Sequence, residues 1–172
     1  MAVSIPTYVE VISAMMPHID VMAPDDGSDY DTLIWQDGAP VPPKDELDLL
    51  VIEKAKVRQW RAIQDKRDFL KGNGVKIGAN WFHSDDSSRI QQLGLVMFGA
   101  NMPAGIMWKT MAGTFVPMTP TLAMQIFVGH ATHDTTIFAI AEQKRAAMNA
   151  LTTLSAISQF DAESDWPETF TG

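Results

Sequence analysis

Three side chains near the C-terminal third could hold a metal ion. His130, His133 and Asp134 stand at i, i+3 and i+4. On a helix, that spacing puts nitrogen and oxygen ligands on adjacent surface. A zinc or two-metal site would need further ligands from a second helix, yet no Glu-x-x-His or His-Glu-x-x-His motif occurs. The competing reading makes both histidines hydrogen-bonded core or interface residues on an apolar stripe, and it is the preferred one. The three residues stay as metal candidates, and no cofactor is expected.

A second gathering of chemistry is His83-Ser84-Asp85-Asp86-Ser87-Ser88. A catalytic triad needs its members to converge from separate elements, with the base touching the nucleophile. Neighbours along one turn point apart, so Asp85 reads better as a helix N-cap with Asp86 to Ser88 in the first turn. Asp25-Asp26-Gly27-Ser28-Asp29 lacks the ligand spacing and distal Glu of a calcium loop. Gly72-Asn73-Gly74 follows a helix and leads into a strand, the reverse of a phosphate loop. No catalytic residue is assigned and no enzymatic activity is expected.

The elements that would position these residues fall into four segments. Residues 1–43 form an N-terminal arm: a short helix before Pro17, a strand over Tyr30–Gln36 closed by an Asp37-Gly38 turn, then the stiff Pro40, Pro42 and Pro43. Residues 44–72 form a long linking helix that starts near Pro43 and has Leu49, Ile52, Lys56, Trp60, Ile63, Arg67 and Leu70 on one stripe. Residues 73–158 form a hairpin-helix-hairpin-helix domain. Its hairpins are Val75–Ile77 with Asn80–His83, and Ile106–Thr110 with Thr114–Met118. The latter closes on a three-residue loop ending in Gly113. Between them, a helix over 86–99 carries Ile90, Leu93, Val96 and Met97 on its apolar face. Thr119 and Pro120 start a helix expected to reach residue 158. Its buried stripe runs through Leu122, Ile126, His130, His133, Ile137, Ala141, Met148 and Leu151. Residues 159–172 are an acidic tail. The fold class is α+β: two long helices and one short helix around two small β-hairpins, with an extended N-terminal arm.

Composition narrows the function. The 172 residues are 46% hydrophobic and 20% charged, which fits a globular chain. There is no cysteine, so folding needs no oxidising compartment. No signal peptide and no apolar run of membrane-spanning length is read, so synthesis in a reducing cytoplasm without membrane insertion is expected. The net charge of −8 disfavours nucleic acid. Charge is also segregated: residues 1–43 hold seven acids and no Lys or Arg, whereas residues 44–71 hold eight of the thirteen bases. Six acids interleave with those eight bases, which reads as a salt-bridged helix surface rather than a nucleic-acid patch. Contacts between segments or between copies would pair the two regions.

Eleven methionines and five tryptophans suit contact surfaces, because Met repacks easily and Trp anchors interface centres. The interface candidates are Trp35, Leu49, Ile52, Trp60, Ile63, Ile126, His130, Ile137 and Trp166. The two long helices are the expected self-association surface.

The central stretch carries Arg67-Asp68, Gly74-Val75-Lys76-Ile77, Trp81-Phe82-His83-Ser84-Asp85, Ser88-Arg89, Trp108-Lys109-Thr110, Gly113-Thr114-Phe115 and Thr119-Pro120. Over residues 65–167 it resembles a domain of unknown function found in phage tail and tail-fibre-region proteins of tailed bacteriophages. The resemblance brings no catalytic residues. It implies a virion structural protein of the baseplate, tail tip or fibre attachment, located in the tail, with other tail proteins as partners. Homo-oligomerisation is expected, a trimer being implied by fibre symmetry. The alternative is a tail-fibre assembly chaperone that is not retained in the particle.

Overall fold

Capping chemistry sets the helix starts. Thr7 and Glu10 form a reciprocal capping box on α1 (Tyr8–Met15), with Glu10 N–H donating to Thr7 Oγ1 at 3.2 Å and Thr7 N–H donating to the Glu10 carboxylate at 3.0 Å. Asp85 caps α3 (Asp86–Phe98), accepting from Ser88 N–H at 3.0 Å and Ser88 Oγ at 2.7 Å. The Ser88 hydroxyl, and then its N–H, hold the Asp85 carboxyl below its ordinary range. Thr119 Oγ1 accepts from Leu122 N–H at 3.1 Å and opens α4 (Pro120–Asn149).

This computed structural model describes residues 3–36, 38 and 40–172. Among them the fold is α+β, with three two-stranded antiparallel sheets: β1 (Val21–Met22) with β2 (Ile34–Trp35), β3 (Val75–Ile77) with β4 (Asn80–Phe82), and β5 (Met107–Lys109) with β6 (Phe115–Pro117). The longest helices are α2 (Lys44–Gly72) and α4. Among the described residues, no helix is long and apolar enough to cross a membrane. By contacts the chain forms two compact units, Met1–Ile63 with Lys144–Glu163, and Gln64–Gln143 with Ser164–Gly172.

In the first unit the arm packs on α2 of its own chain. Tyr8, Val11, Ile12, Ile19 and Leu33 close a core against Leu47 and Val51 of α2. The segregated charges meet here: both Arg58 Nη2 bonds to Glu10 are 2.9–3.0 Å, and Lys54 Nζ donates to Glu10 O at 2.8 Å. The expected strand over 30–36 is shorter. Asp29 accepts from Asp31 N–H at 3.0 Å and starts a 3-10 turn over Tyr30–Thr32, leaving only Ile34–Trp35 extended. Asp37 of the expected turn lies outside the described residues.

The buried ladder of α2 in this unit also differs from the expected stripe. It runs Leu47, Val51, Ala55, Gln59 and Ile63, while Leu49 is exposed and Ile52, Lys56 and Trp60 are half-buried. A small alanine and a glutamine hide the four-residue step from an apolar count; Gln59 Nε2 donates to Ile157 O at 2.8 Å. The helix expected to reach 158 stops at Asn149. Thr153 then caps a separate α5 (Leu154–Ser158), accepting from Ala156 N–H at 3.3 Å.

In the second unit both expected hairpins form. Val75 pairs with Phe82 and Ile77 with Asn80, while Trp108 pairs with Val116 and Lys109 with Phe115. Gly113 ends the second loop at φ +83°, a conformation that suits glycine. Met111 N–H donates to Trp81 O at 2.9 Å, tying the hairpins together. Gly129 of α4 meets the first hairpin so closely that a Cβ there would lie 2.5 Å from Ile77 Cδ1. Val75, Phe82, Met118, Ala123 and Ile126 form the core. The stripe of α4 holds for Ile126, His130, Ile137 and Ala141 here and for Met148 in the first unit, whereas Leu122, His133 and Leu151 are only half-buried.

Candidate functional site

The carbonyls at the end of α2 have no partners within their helix and need donors from elsewhere. Those donors come from Ser84, Arg89 and His133. Ser84 Oγ accepts from Gly74 N–H at 2.7 Å and donates to Lys71 O at 2.8 Å. Arg89 Nη2 donates to the same carbonyl at 3.0 Å, and Nε donates to Ser84 O at 2.6 Å. The rest of the guanidinium clasps Asp134 on α4 with bonds of 2.7 and 2.9 Å, a bidentate, charge-assisted pair. His133 Nε2 lies 3.2 Å from Leu70 O.

One turn further along α3, Gln92 Nε2 donates to His83 O at 2.9 Å, and its Oε1 lies 2.7 Å from His130 Nε2. In that amide orientation Oε1 can only accept, so His130 carries its hydrogen on Nε2. His130 is 5% exposed. Its pKa is pushed down to about 4 by burial first and by the positive Arg89 next, with His133 adding to the effect and Asp134 opposing it. The ring is therefore neutral at physiological pH.

This arrangement takes apart the sequence candidates for chemistry. His130, His133 and Asp134 turn to Gln92, Leu70 O and Arg89, so the three do not converge on one point. Among the described residues, no group of three or more His, Cys, Asp or Glu could hold a metal ion. Ser84 is buried and bonded to backbone, not to a histidine, so it is no activated nucleophile. What the cluster does is clamp the end of α2, the first hairpin, α3 and α4 together.

The clamp turns most of the expected face of α3 outward, and Val96 with Leu95 still packs against the core. Ile90, Leu93 and Met97 are 70%, 42% and 80% exposed, Val96 is half-buried, and Gln92 is the buried residue of the helix. Apolar periodicity alone could not show this, because the inward face is chosen by the donors the α2 carbonyls require. Gln92 left no sequence signal. Arg89 left a weak one, as a lone base four residues after the cap. Beside the clamp, Ile90, Leu93, Phe127 and Ala131 line an open cleft of about 310 Å³.

Of the nine interface candidates, Ile63, Ile126, His130 and Ile137 are buried within the chain itself and belong to its core. Leu49 is 64% exposed. Trp35, Ile52, Trp60 and Trp166 are half-buried; Trp60 lies beneath the Arg145 guanidinium at 4.8 Å.

No curated protein and no solved structure matches the chain. A family model does match, over residues 54–164, from within α2 to beyond α5. That is more than half of the chain, which therefore belongs to the family described as Domain of unknown function (DUF4376).

Proposed function

We propose that the chain is a structural component of a bacteriophage tail, at the baseplate, the tail tip or a fibre attachment, and that it works by protein–protein assembly. The observation that carries the reading is where the motif residues Trp-Phe-His-Ser-Asp and Trp-Lys-Thr-x-x-Gly-Thr-Phe fall. Phe82 is core, Ser84 and the His83 carbonyl bind the clamp, Asp85 caps α3, and Gly113 closes a turn. The residues that carry the tail resemblance thus build a framework, and large apolar side chains such as Met97 and Phe115 are left exposed for neighbours. In this reading the chain is made in the host cytoplasm, assembles with other tail proteins and copies of itself, and contacts neither nucleic acid nor membrane.

A fibre-assembly chaperone is the second reading, and one observation favours it. A chaperone must fold without the mature particle, and the N-terminal arm folds onto α2 of its own chain. Mass spectrometry of purified virions separates the two. Peptides at a fixed stoichiometry to known tail subunits sustain the structural role. Their absence from particles, together with misfolded fibres when the chain is deleted, moves the assignment to the chaperone.

A further inference from the structure

We infer that the outer face of α3 is a self-association surface, which pairs antiparallel with the same helix of a second copy about a two-fold axis. Ile90, Leu93, Gly94 and Met97 occupy i, i+3, i+4 and i+7, and all four point to solvent. That is the stripe by which a helix packs against a partner. On α3 it faces away from the clamp, because Arg89 and Gln92 hold the opposite side inward.

Charge at this face suits a second copy of this chain. Two identical chains of net charge −8 repel unless they meet through a neutral face. Residues 90–133 contain a single formal charge, Lys109, in a chain with 34 charged residues (13 basic plus 21 acidic). No other face need match this one, because a two-fold interface uses the same patch on both sides.

Shape agrees. With the axis between residues 93 and 94, Leu93 opposes the small Gly94 of the second copy, and Met97 opposes Ile90. A Cβ on Gly94 would meet nothing within 4 Å, so the space above it is open in the single chain. Met97, among the described residues the most exposed large apolar side chain, then lies at the mouth of the cleft that Ile90, Leu93, Phe127 and Ala131 line together with the clamp residues of the other copy. A flexible thioether is well suited to fill it. Asp86 lies at the first turn of α3, beyond the pairing of residues 90–97, so no acid faces an acid within that pairing. A 13-residue helix is about 20 Å long, and Phe98 and Phe127 widen the contact beyond it.

The inference rests on the reading that the chain acts by assembly, but its test uses the purified full-length chain and does not depend on what virions contain. Sedimentation velocity from micromolar to hundreds of micromolar should show a species of twice the 19.0 kDa chain mass. Met97→Glu should weaken it on the order of tenfold or more, because the carboxylate would be buried unpaired. Circular dichroism should remain unchanged, since Met97 is exposed. The chain has no cysteine, so Gly94→Cys gives a clean second test: it should oxidise to a covalent dimer, while Met22→Cys, exposed on β1, should not. A monomer throughout the range, a trimer, or a dimer indifferent to Met97→Glu would each overturn the proposal.

Discussion

The core beneath the N-terminal arm and the helix α3 treat polarity in opposite ways. Under the arm, aliphatic side chains of α1 and α2 face inward, and Arg58, Lys54 and Glu10 stay at the partly exposed rim. On α3 the guanidinium and the carboxamide face inward, and Ile90, Leu93 and Met97 face water. The difference lies in what each neighbour offers. The N-terminal part of α2 presents to the arm the apolar Leu47 and Val51, so apolar burial decides the packing there. The end of α2 presents the Leu70 and Lys71 carbonyls, and leaving buried acceptors unpaired costs more than exposing a few apolar side chains.

Paired truncations test that contrast most strongly. Ile12 is fully buried, and Ile12→Ala should cost about 4 kcal/mol, from lost transfer energy plus a cavity. Ile90→Ala removes the same atoms from a site that is 70% exposed and should stay within about 0.5 kcal/mol in a dilute, monomeric sample. Urea denaturation of both variants decides the matter. Similar losses would mean that α3 is packed like α1, and the contrast would fail.

The clamp should come next. Arg89→Met leaves Asp134 partly buried without its cation, takes the Arg89 donor from the Ser84 carbonyl and leaves the Lys71 carbonyl with the Ser84 hydroxyl, at a cost of about 3 kcal/mol. Adding Asp134→Leu should recover part of that loss but not all, because the Lys71 and Ser84 carbonyls still lack Arg89. Full recovery in the double variant would reduce the clamp to a simple ion pair and remove the reason α3 turns its polar side inward.

Local signals were legible from sequence, and long-range ones were not. Asp85, Thr119-Pro120 and the Gly113 loop each act through bonds within a few residues, so spacing alone located α3, α4 and both hairpins. The inward face of α3 depends on Lys71 O of α2 and on His130 and Asp134 of α4, all distant in sequence, and apolar periodicity points to Ile90, Leu93 and Met97 instead. On α2, Ala55 and Gln59 interrupt the apolar signal of the buried ladder, so periodicity misplaces the stripe over residues 49–60, while Ile63 and Leu70 are buried as expected. The end of α4 was readable in principle, since Thr153 is a cap like Thr119, but the helix-favouring residues before it obscured the break. For the candidate site, the spacing of His130, His133 and Asp134 was real, yet spacing on one helix cannot reveal that each side chain bonds to a different element.

Acid should expose the polar side of the contrast. His130 titrates near 4 in the folded chain against about 6.5 when unfolded, so the unfolded chain binds more protons between those values. Its contribution is fully present above pH 6.5 and declines as pH falls toward 4, by on the order of 2–3 kcal/mol. Arg89, Asp134 and His133 surround the ring, and Gln92 accepts its hydrogen. His130→Gln, measured by thermal unfolding at stepped pH, should flatten the slope between pH 6.5 and 5 relative to the parent. An undiminished slope would assign the acid sensitivity to other groups.

The smallest effect belongs to the rim of the arm. The bond to Thr7 N–H leads in holding the Glu10 carboxyl below its usual range; burial opposes it, and the bond to Arg58 reinforces it. Glu10 and Arg58 are 44% and 24% exposed, so solvent and salt screen their pairing. Glu10→Gln keeps an oxygen for the capping box and should cost less than about 1 kcal/mol, shrinking further at high salt. The sign with pH is the same as for His130: a depressed carboxyl contributes above its unfolded pKa and loses that contribution as pH falls through the folded value. A loss for Glu10→Gln as large as that for Ile12→Ala would mean the arm is held by charge rather than by its aliphatic core, and the first half of the contrast would have to be rewritten.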